Sequence, residues 1–311
     1  MSKYAAFNIN FDSLGLSCGF PPSFHDPSFF EIADRFLALA SKYNFKLSIF
    51  VIGKDLEKPE NRDAVKKWSE LGHEIGNHTW SHRSDIGFLE KEKICREVER
   101  AHEIIFKTVG YEPKGFIAPA WASSEDLLDV LLSLNYEYDS SPFPSWLMYL
   151  LAFRIWFAHK KMNTGSGLLT FQNLTYSFLG SRKAFISTGD FKTRTEKSNF
   201  SQDKKKITIL PLPTNRWRVA CWHTLAFMSN SLHKRILRDC LKEIDAFYYL
   251  MHPADLIERQ DLAQKFPCYF ARIDIPLEIK TQLMESSIQT IINSGRKIVT
   301  MKELAQTVHS N

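Results

Sequence analysis

Short apolar runs alternate with longer stretches of helical periodicity along most of the chain. Tyr4–Phe11 is apolar and rich in aromatic and β-favouring residues, and it predicts a buried strand ending at Asp12. Gly15–Pro27 reads as a loop. Over Ser28–Tyr43, Phe30, Ala33, Phe36, Leu37 and Ala40 recur at helical spacing, with Ser28 as the expected cap. Lys46–Gly53 predicts a strand, Glu60–Leu71 a helix ended by Gly72, and His73–His78 a strand entering a loop. Helix Ser84–Val109, strand Lys114–Ala118, helix Ser124–Leu134 and strand Tyr136–Asp139 continue the series. This alternation predicts an α/β fold on a mainly parallel sheet.

The rhythm breaks over residues 143–206, which read as an insertion within a single domain spanning 1–311. Trp146–Phe157 reads WLMYLLAFRIWF, and Lys160-Lys161 follow. As a helix this run is roughly 18 Å long, too short to cross a bilayer. It suits either a buried core helix or an interfacial segment on an anionic membrane face. The alternation then resumes with strand Ile207–Leu212, helix Ser231–Ile244, strand Ala246–Met251, helix Glu278–Ser294, strand Lys297–Thr300 and helix Met301–Val308.

Composition narrows the class. The 311 residues are 44% hydrophobic and 24% charged, which is globular. Forty basic against 35 acidic residues give a net charge of +5. With no dense basic helix or zinc-finger spacing, that excess does not argue for nucleic acid. Cys18, Cys95, Cys221, Cys240 and Cys268 are odd in number and widely spaced, without CxxC. They argue against a disulfide framework or a cysteine zinc site, and for a reducing compartment. The first ten residues carry no apolar core of a signal peptide, and no run of about 18 apolar residues occurs. A cytoplasmic location is expected, with peripheral contact at the inner face of the membrane as its variant.

Three places can carry chemistry. His78-Thr79-Trp80-Ser81-His82 sets two imidazoles four residues apart, able to face one metal if the backbone is helical or turning. The spacing is common by chance, and Thr79 stands where a metalloprotease needs Glu. Asp12 ends the first strand, where ligands of parallel sheets gather. It either joins the two histidines in a three-donor set with open positions, which suits catalysis, or caps a turn with Ser13. His252 ends the strand Ala246–Met251 and can protonate a leaving amine. Asp255 either orients His252 or caps the next turn.

Taken in order, these motifs resemble those of the polysaccharide deacetylases, the family sharing the NodB homology domain. Asn8-Ile9-Asn10-Phe11-Asp12-Ser13 resembles the first motif, and HTWSH at 78–82 with its leader Gly72–Asn77 the second. Gly115-Phe116-Ile117-Ala118-Pro119-Ala120-Trp121 resembles the third, Asp139-Ser140-Ser141-Pro142 with Pro144 and Trp146 the fourth, and Leu250-Met251-His252-Pro253 the fifth. The resemblance implies a distorted (β/α) barrel of about seven strands. It implies a divalent metal, usually zinc, held by Asp12, His78 and His82. It implies hydrolysis of an N-acyl group, acetyl or formyl, on an amino sugar, with His252 protonating the leaving nitrogen. Substrate contacts then fall to Pro119, Trp121, Asp139 and Trp146. Pro211-Leu212-Pro213, Trp217, Trp222 and His223 can line the same groove, although packing explains His223 equally well.

Two positions depart from the family pattern. The first motif commonly holds two acids, a base and a ligand. Aligned as two adjacent acids, Asp12 takes the base position and Ser13 replaces the ligand; aligned as Asp-x-Asp, Asn10 takes the base position and Asp12 is the ligand, which is preferred because Asn10 and Asp12 share one side of a strand and Ser13 is a poor ligand. The third motif often carries Arg, and here it has Ile117. The two losses fit together, since an Arg without its carboxylate is a buried unpaired charge. Relatives that deformylate an amino sugar on undecaprenyl phosphate also lack that Arg. A polyprenyl-linked or cell-surface glycan precursor of the bacterial envelope is therefore the expected substrate. A glycan-binding protein without turnover is the alternative.

Overall fold

The computed structural model describes residues 3–17, 20, 24–146, 180–189, 205–262 and 273–309. The expected segment Trp146–Phe157 lies outside these residues beyond Trp146 itself.

The described strands are β1 (Tyr4–Phe11), β2 (Leu47–Val51), β3 (Glu74–Asn77), β4 (Gly115–Phe116), β5 (Tyr138–Asp139), β6 (Phe185–Ser187), β7 (Ile207–Ile209), β8 (Ala246–Met251) and β9 (Lys297–Ile298). They form one sheet in the order β6-β7-β5-β4-β3-β2-β1-β8, with β9 paired to Tyr4 and Ala5 of β1. Every described pairing is parallel except β6 against β7.

β1 is buried almost throughout because both its faces are covered. Phe7, Ile9 and Phe11 join the outer core with Phe36, Trp68 and Met284 from the flanking helices. Ala6 faces inward and shares a second core with Phe50, Tyr138, Tyr248 and Leu250. This period-two split of one strand between two cores places the sheet between a helical layer and a filled lumen.

The path between β7 and β8 is bridged by irregular backbone. Leu212 donates to the Pro142 carbonyl at 2.9 Å, Cys221 to Pro213 at 2.8 Å and His223 to Leu250 at 3.0 Å. Trp222 pairs with Leu250 as an isolated parallel bridge. The result is a distorted α/β barrel with eight strands along the path, against about seven expected. The extra edge strand, β6, lies inside the expected insertion.

Local differences from the expected elements have physical causes. Ser28 does not cap the helix Glu31–Lys42; its hydroxyl accepts the Leu14 N–H at 3.0 Å. Asp26 caps the preceding turn Pro27–Phe29 instead. The supposed loop after β1 opens with a short helix, Leu14–Ser17. The strand expected to reach Ala118 stops at Phe116, because Ala118 N–H turns to Ser141 Oγ at 2.8 Å. The helix expected from Ser84 begins at Lys91, after a turn at Ile86–Phe88. Ser124 does cap Glu125–Ser133, accepting from Leu127 N–H at 3.1 Å.

Gly53 follows β2, where a Cβ would meet the Ala101 backbone at 2.8 Å and the Trp80 ring at 2.9 Å. Gly53→Ala therefore overpacks the joint between the β2 loop and helix Lys91–Val109. The expected loss is about 1–3 kcal/mol, read as a lower urea midpoint at unchanged slope.

Candidate metal centre

The parallel register sets the geometry. Ile9 lies opposite Met251 and Phe11 opposite Val51, so Asp12 and His252 both stand just past the same ends of adjacent strands. Val51 lies opposite Asn77, which brings His78 to that end as well. The C-terminal end of the parallel sheet thus collects the three places singled out by sequence.

Among the described residues, Asp12, His78 and His82 are the group whose donor atoms lie close enough for one ion, all within 4.8 Å. Asp12 Oδ1 is 3.0 Å from His78 Nε2 and 3.2 Å from His82 Nε2. His78 is fully buried, and its Nδ1 lies 2.7 Å from the Ile117 carbonyl. That carbonyl accepts a hydrogen bond from Nδ1–H, which leaves the Nε2 lone pair facing Asp12 and His82. Burial pushes His78 down from the ordinary imidazole value, against the pull of Asp12, so the ring is a neutral donor. Burial by itself raises the Asp12 carboxyl, but His82 and His78 outweigh it and hold Asp12 well below the carboxylate range. An ionised carboxylate and a neutral imidazole match the needs of a divalent ion, zinc included.

The HTWSH segment is a turn, not a helix. Thr79 and His82 sit in the left-handed region at φ 66° and 56°, unusual for a β-branched Thr and a His. Hydrogen bonds over-determine this backbone. Thr79 N–H donates to Asn77 Oδ1 at 2.8 Å, and Thr79 Oγ1 accepts the His82 N–H at 3.1 Å. Gly53 and Lys54 N–H groups donate to the Thr79 and Trp80 carbonyls at 2.9 and 2.8 Å. Glu97 accepts from Ser81 N and Oγ, and Arg100 lies 3.7 Å over the Trp80 ring.

His252 is oriented through its backbone. Its N–H donates to Asp255 Oδ2 at 2.9 Å, so Asp255 caps the turn that carries it. The His252 ring meets Trp222 edge-on at 6.2 Å. Trp222 packs on Trp121 at 5.3 Å, and Trp121 on Phe143 at 4.7 Å, which extends an aromatic wall from His252. Trp121 and Ala120 hold positive φ, which carries Trp121 into that wall behind Pro119. The Trp121 indole N–H is buried without a hydrogen-bond partner among the described residues.

The remaining predicted residues fall at different depths. Asn10 is 4% exposed and accepts from Asn8 Nδ2 at 3.1 Å. Ile117 is buried in the inner core. Asp139 is buried at the end of β5, where it accepts both Ser141 N–H and Ser141 Oγ–H. Burial pushes its carboxyl up to about 6. Trp146 is partly exposed and donates to the Trp217 carbonyl at 3.1 Å. His223 bonds Tyr249 at 2.9 Å, and Tyr249 belongs to the outer core. The structure therefore places His223 behind β8, apart from the wall. Asn77, Glu97 and Phe143 were not singled out from sequence. A rule that strand ends carry function reaches Asn77, but nothing local marks Glu97, 16 residues beyond its partner Ser81.

The barrel thus carries an Asp-His-His set at the C-terminal end of its sheet, with His252 just past the end of the strand next to β1. Residues 24–138 match the family model for polysaccharide deacetylases. It is 28% identical over 123 residues to a peptidoglycan-N-acetylglucosamine deacetylase of Bacillus cereus, covering 36% of this chain and 43% of that protein. It is 30% identical over 110 residues to a peptidoglycan deacetylase of Helicobacter pylori, covering 34% of this chain and 36% of that one. The chain thus aligns with less than half the length of these relatives. In fold it is similar to a Mycobacterium smegmatis protein described as a candidate polysaccharide deacetylase. The TM-score is 0.60 at 13% identity, over 100% of this chain and 92% of that one.

Two measurements follow. Protein purified with zinc is expected to hold about one ion per chain by mass spectrometry, and His82→Ala to lose it without unfolding. For Asp139, the folded pKa of about 6 exceeds the usual 3.8, so the folded state binds more protons between these values. Stability present below about pH 4 is then lost as pH rises to about 6, on the order of 3 kcal/mol. Asp139→Asn is expected to flatten that slope in urea titrations between pH 4 and 7.

Proposed function

We propose that the protein is a metal-dependent hydrolase that removes an N-acyl group, acetyl or formyl, from an amino sugar. One observation carries this reading: Nε2 of His78 is freed by the Ile117 carbonyl and aimed, with His82, at an ionised Asp12 at the barrel mouth. A divalent ion there, zinc being the expected one, lowers the pKa of water and polarises a carbonyl oxygen.

The chain's own residues supply the rest. Asp12, His78 and His82 hold the ion. His252, at the end of the neighbouring strand, gives its proton to the nitrogen released when the C–N bond breaks. Trp121, Trp222 and Phe143 offer apolar faces against which a sugar ring stacks. The Asn10 amide can hydrogen-bond a hydroxyl group but cannot take a proton from water at neutral pH.

The surface supports a finer reading of the substrate. Trp217 and Trp146 are exposed beside each other, and the Arg216 guanidinium lies 5.2 Å over the Trp217 ring. Tryptophan with flanking Arg suits the headgroup level of an anionic membrane. This supports a lipid-linked amino sugar reached from the cytoplasmic face, in envelope glycan assembly. A second reading, a glycan-binding protein without turnover, is favoured by the neutral amide at position 10.

The test is release of acetate or formate from N-acetyl and N-formyl amino-sugar oligomers and their polyprenyl phosphate conjugates. His252→Ala is expected to lower kcat roughly 10²–10⁴-fold while keeping the metal. Binding of these sugars by the zinc-loaded wild type with no acid released would establish the second reading.

A further inference from the structure

The two histidines of the centre are held in different ways. The His78 side chain is 1% exposed, and the Ile117 carbonyl fixes its ring directly at 2.7 Å. The His82 side chain is more open, at 19% exposed. Its Nε2 lies 3.2 Å from Asp12, and among the described residues no hydrogen bond reaches its other ring nitrogen. A ligating imidazole usually donates its second N–H to an acceptor that fixes the ring. His82 lacks that device, so its direction is set by its backbone. That backbone sits at φ 56°, a conformation that persists only where the surroundings impose it.

One turn of the helix Lys91–Val109 supplies the hold. Glu97 faces Ser81, the residue before His82. Its Oε2 accepts the Ser81 N–H at 2.9 Å, and its Oε1 accepts the Ser81 Oγ–H at 2.8 Å. Two bonds from one residue to the two oxygens of a carboxylate fix rotation as well as position. The same turn offers the Val98 carbonyl to Asn77 Nδ2 at 3.0 Å and sets the Arg100 guanidinium 3.7 Å over the Trp80 ring. Residues 77, 80 and 81 are thus gripped from one helix face. Within the turn itself, the His82 N–H reaches Thr79 Oγ1 at 3.1 Å. The nearby cations are committed elsewhere, Arg83 to Asp85 at 2.8 Å and Arg100 to Glu57 at 3.2 Å. Among the described residues, no ion pair competes for the Glu97 carboxylate.

We propose that Glu97 is the positioning residue for His82, acting through Ser81. His82 counts as a ligand here on the metal-dependent reading above. Glu97 touches neither ion nor substrate. Its carboxylate anchors Ser81, so that His82 keeps its left-handed backbone when no ion is bound and the donor set is formed in advance. His82 is also the more exposed of the two imidazoles, and so the arm whose release lets an ion leave. Loss of the Glu97 carboxylate therefore acts on ion retention through His82. His78, fixed by a backbone carbonyl, keeps its direction.

The experiment reads zinc binding by competition with a chromophoric chelator and needs no turnover. Glu97→Gln keeps the length of the side chain, but its one carbonyl oxygen accepts while its NH₂ opposes the second donor. It is expected to raise the zinc Kd roughly 10–100-fold, mainly through faster release. Ser81→Ala keeps its N–H and is expected to give a smaller rise. The double variant is expected to match Glu97→Gln, because both changes remove the same link. Glu99→Gln, an exposed charge on the same helix, is expected to match wild type. Cobalt(II)-loaded Glu97→Gln is expected to show visible bands displaced from those of wild type, with the urea midpoint of the metal-free protein unchanged. A purely structural role would lower that midpoint and leave the bands in place, and this result would overturn the proposal. So would a wild-type Kd in Glu97→Gln, or an equal rise in Glu99→Gln. If Glu97→Gln does not fold, Ser81→Ala decides, and a wild-type Kd there overturns the proposal. Hydrogen exchange of the His82 amide in metal-free protein separates this inference from the metal reading. If wild type takes up no zinc, the metal reading fails; faster exchange in Glu97→Gln then still supports the placement of His82 by Glu97, and equal exchange overturns it.

Discussion

The hydrogen bond between His78 Nδ1 and the Ile117 carbonyl is the constraint on which the centre depends. It joins the end of β3 to the strand that follows it in the sheet. It selects the tautomer of a buried ring, and with it the direction of the lone pair. The acceptor is a backbone carbonyl, so this function survives any side chain at position 117. An apolar Ile at position 117 therefore leaves the orientation of His78 undisturbed.

The residues at positions 10 and 117 are consistent with each other. Asn10 is buried and neutral, and Ile117 is buried and apolar. An Arg at 117 would bury a charge with Asn10 unable to compensate it, at a cost that a well-packed apolar residue avoids. Burial pushes Asp139 towards its neutral form, while His82 and His78 keep Asp12 ionised.

Much of the framework was legible in the sequence. β1 and β8 match their expected bounds, because an uninterrupted apolar run between two cores can adopt few other structures. Asp12 and His78 each directly follow the last residue of a strand, and His82 was read from its spacing to His78. What sequence did not reveal depends on distant partners. Ser28 lost its capping role to a backbone N–H 14 residues earlier, and Ala118 left its strand for a hydroxyl 23 residues later. His223 reads as a groove residue by its neighbours, yet alternation along the bridging segment turns it to the side opposite Trp222.

The pairing of β1 with both β2 and β8 also bears on the order in which the molecule assembles. Asp12, His78 and His82 fall within the first 82 residues, and the pairing of β1, β2 and β3 that gathers them closes comparatively short loops. His252 joins only when β8 returns across more than 200 residues to β1, a closure whose entropy cost must be met before its contacts form. The two halves of the centre therefore have different contact orders. The Asp12, His78 and His82 half therefore assembles from pairings of smaller sequence separation than the closure that brings in His252.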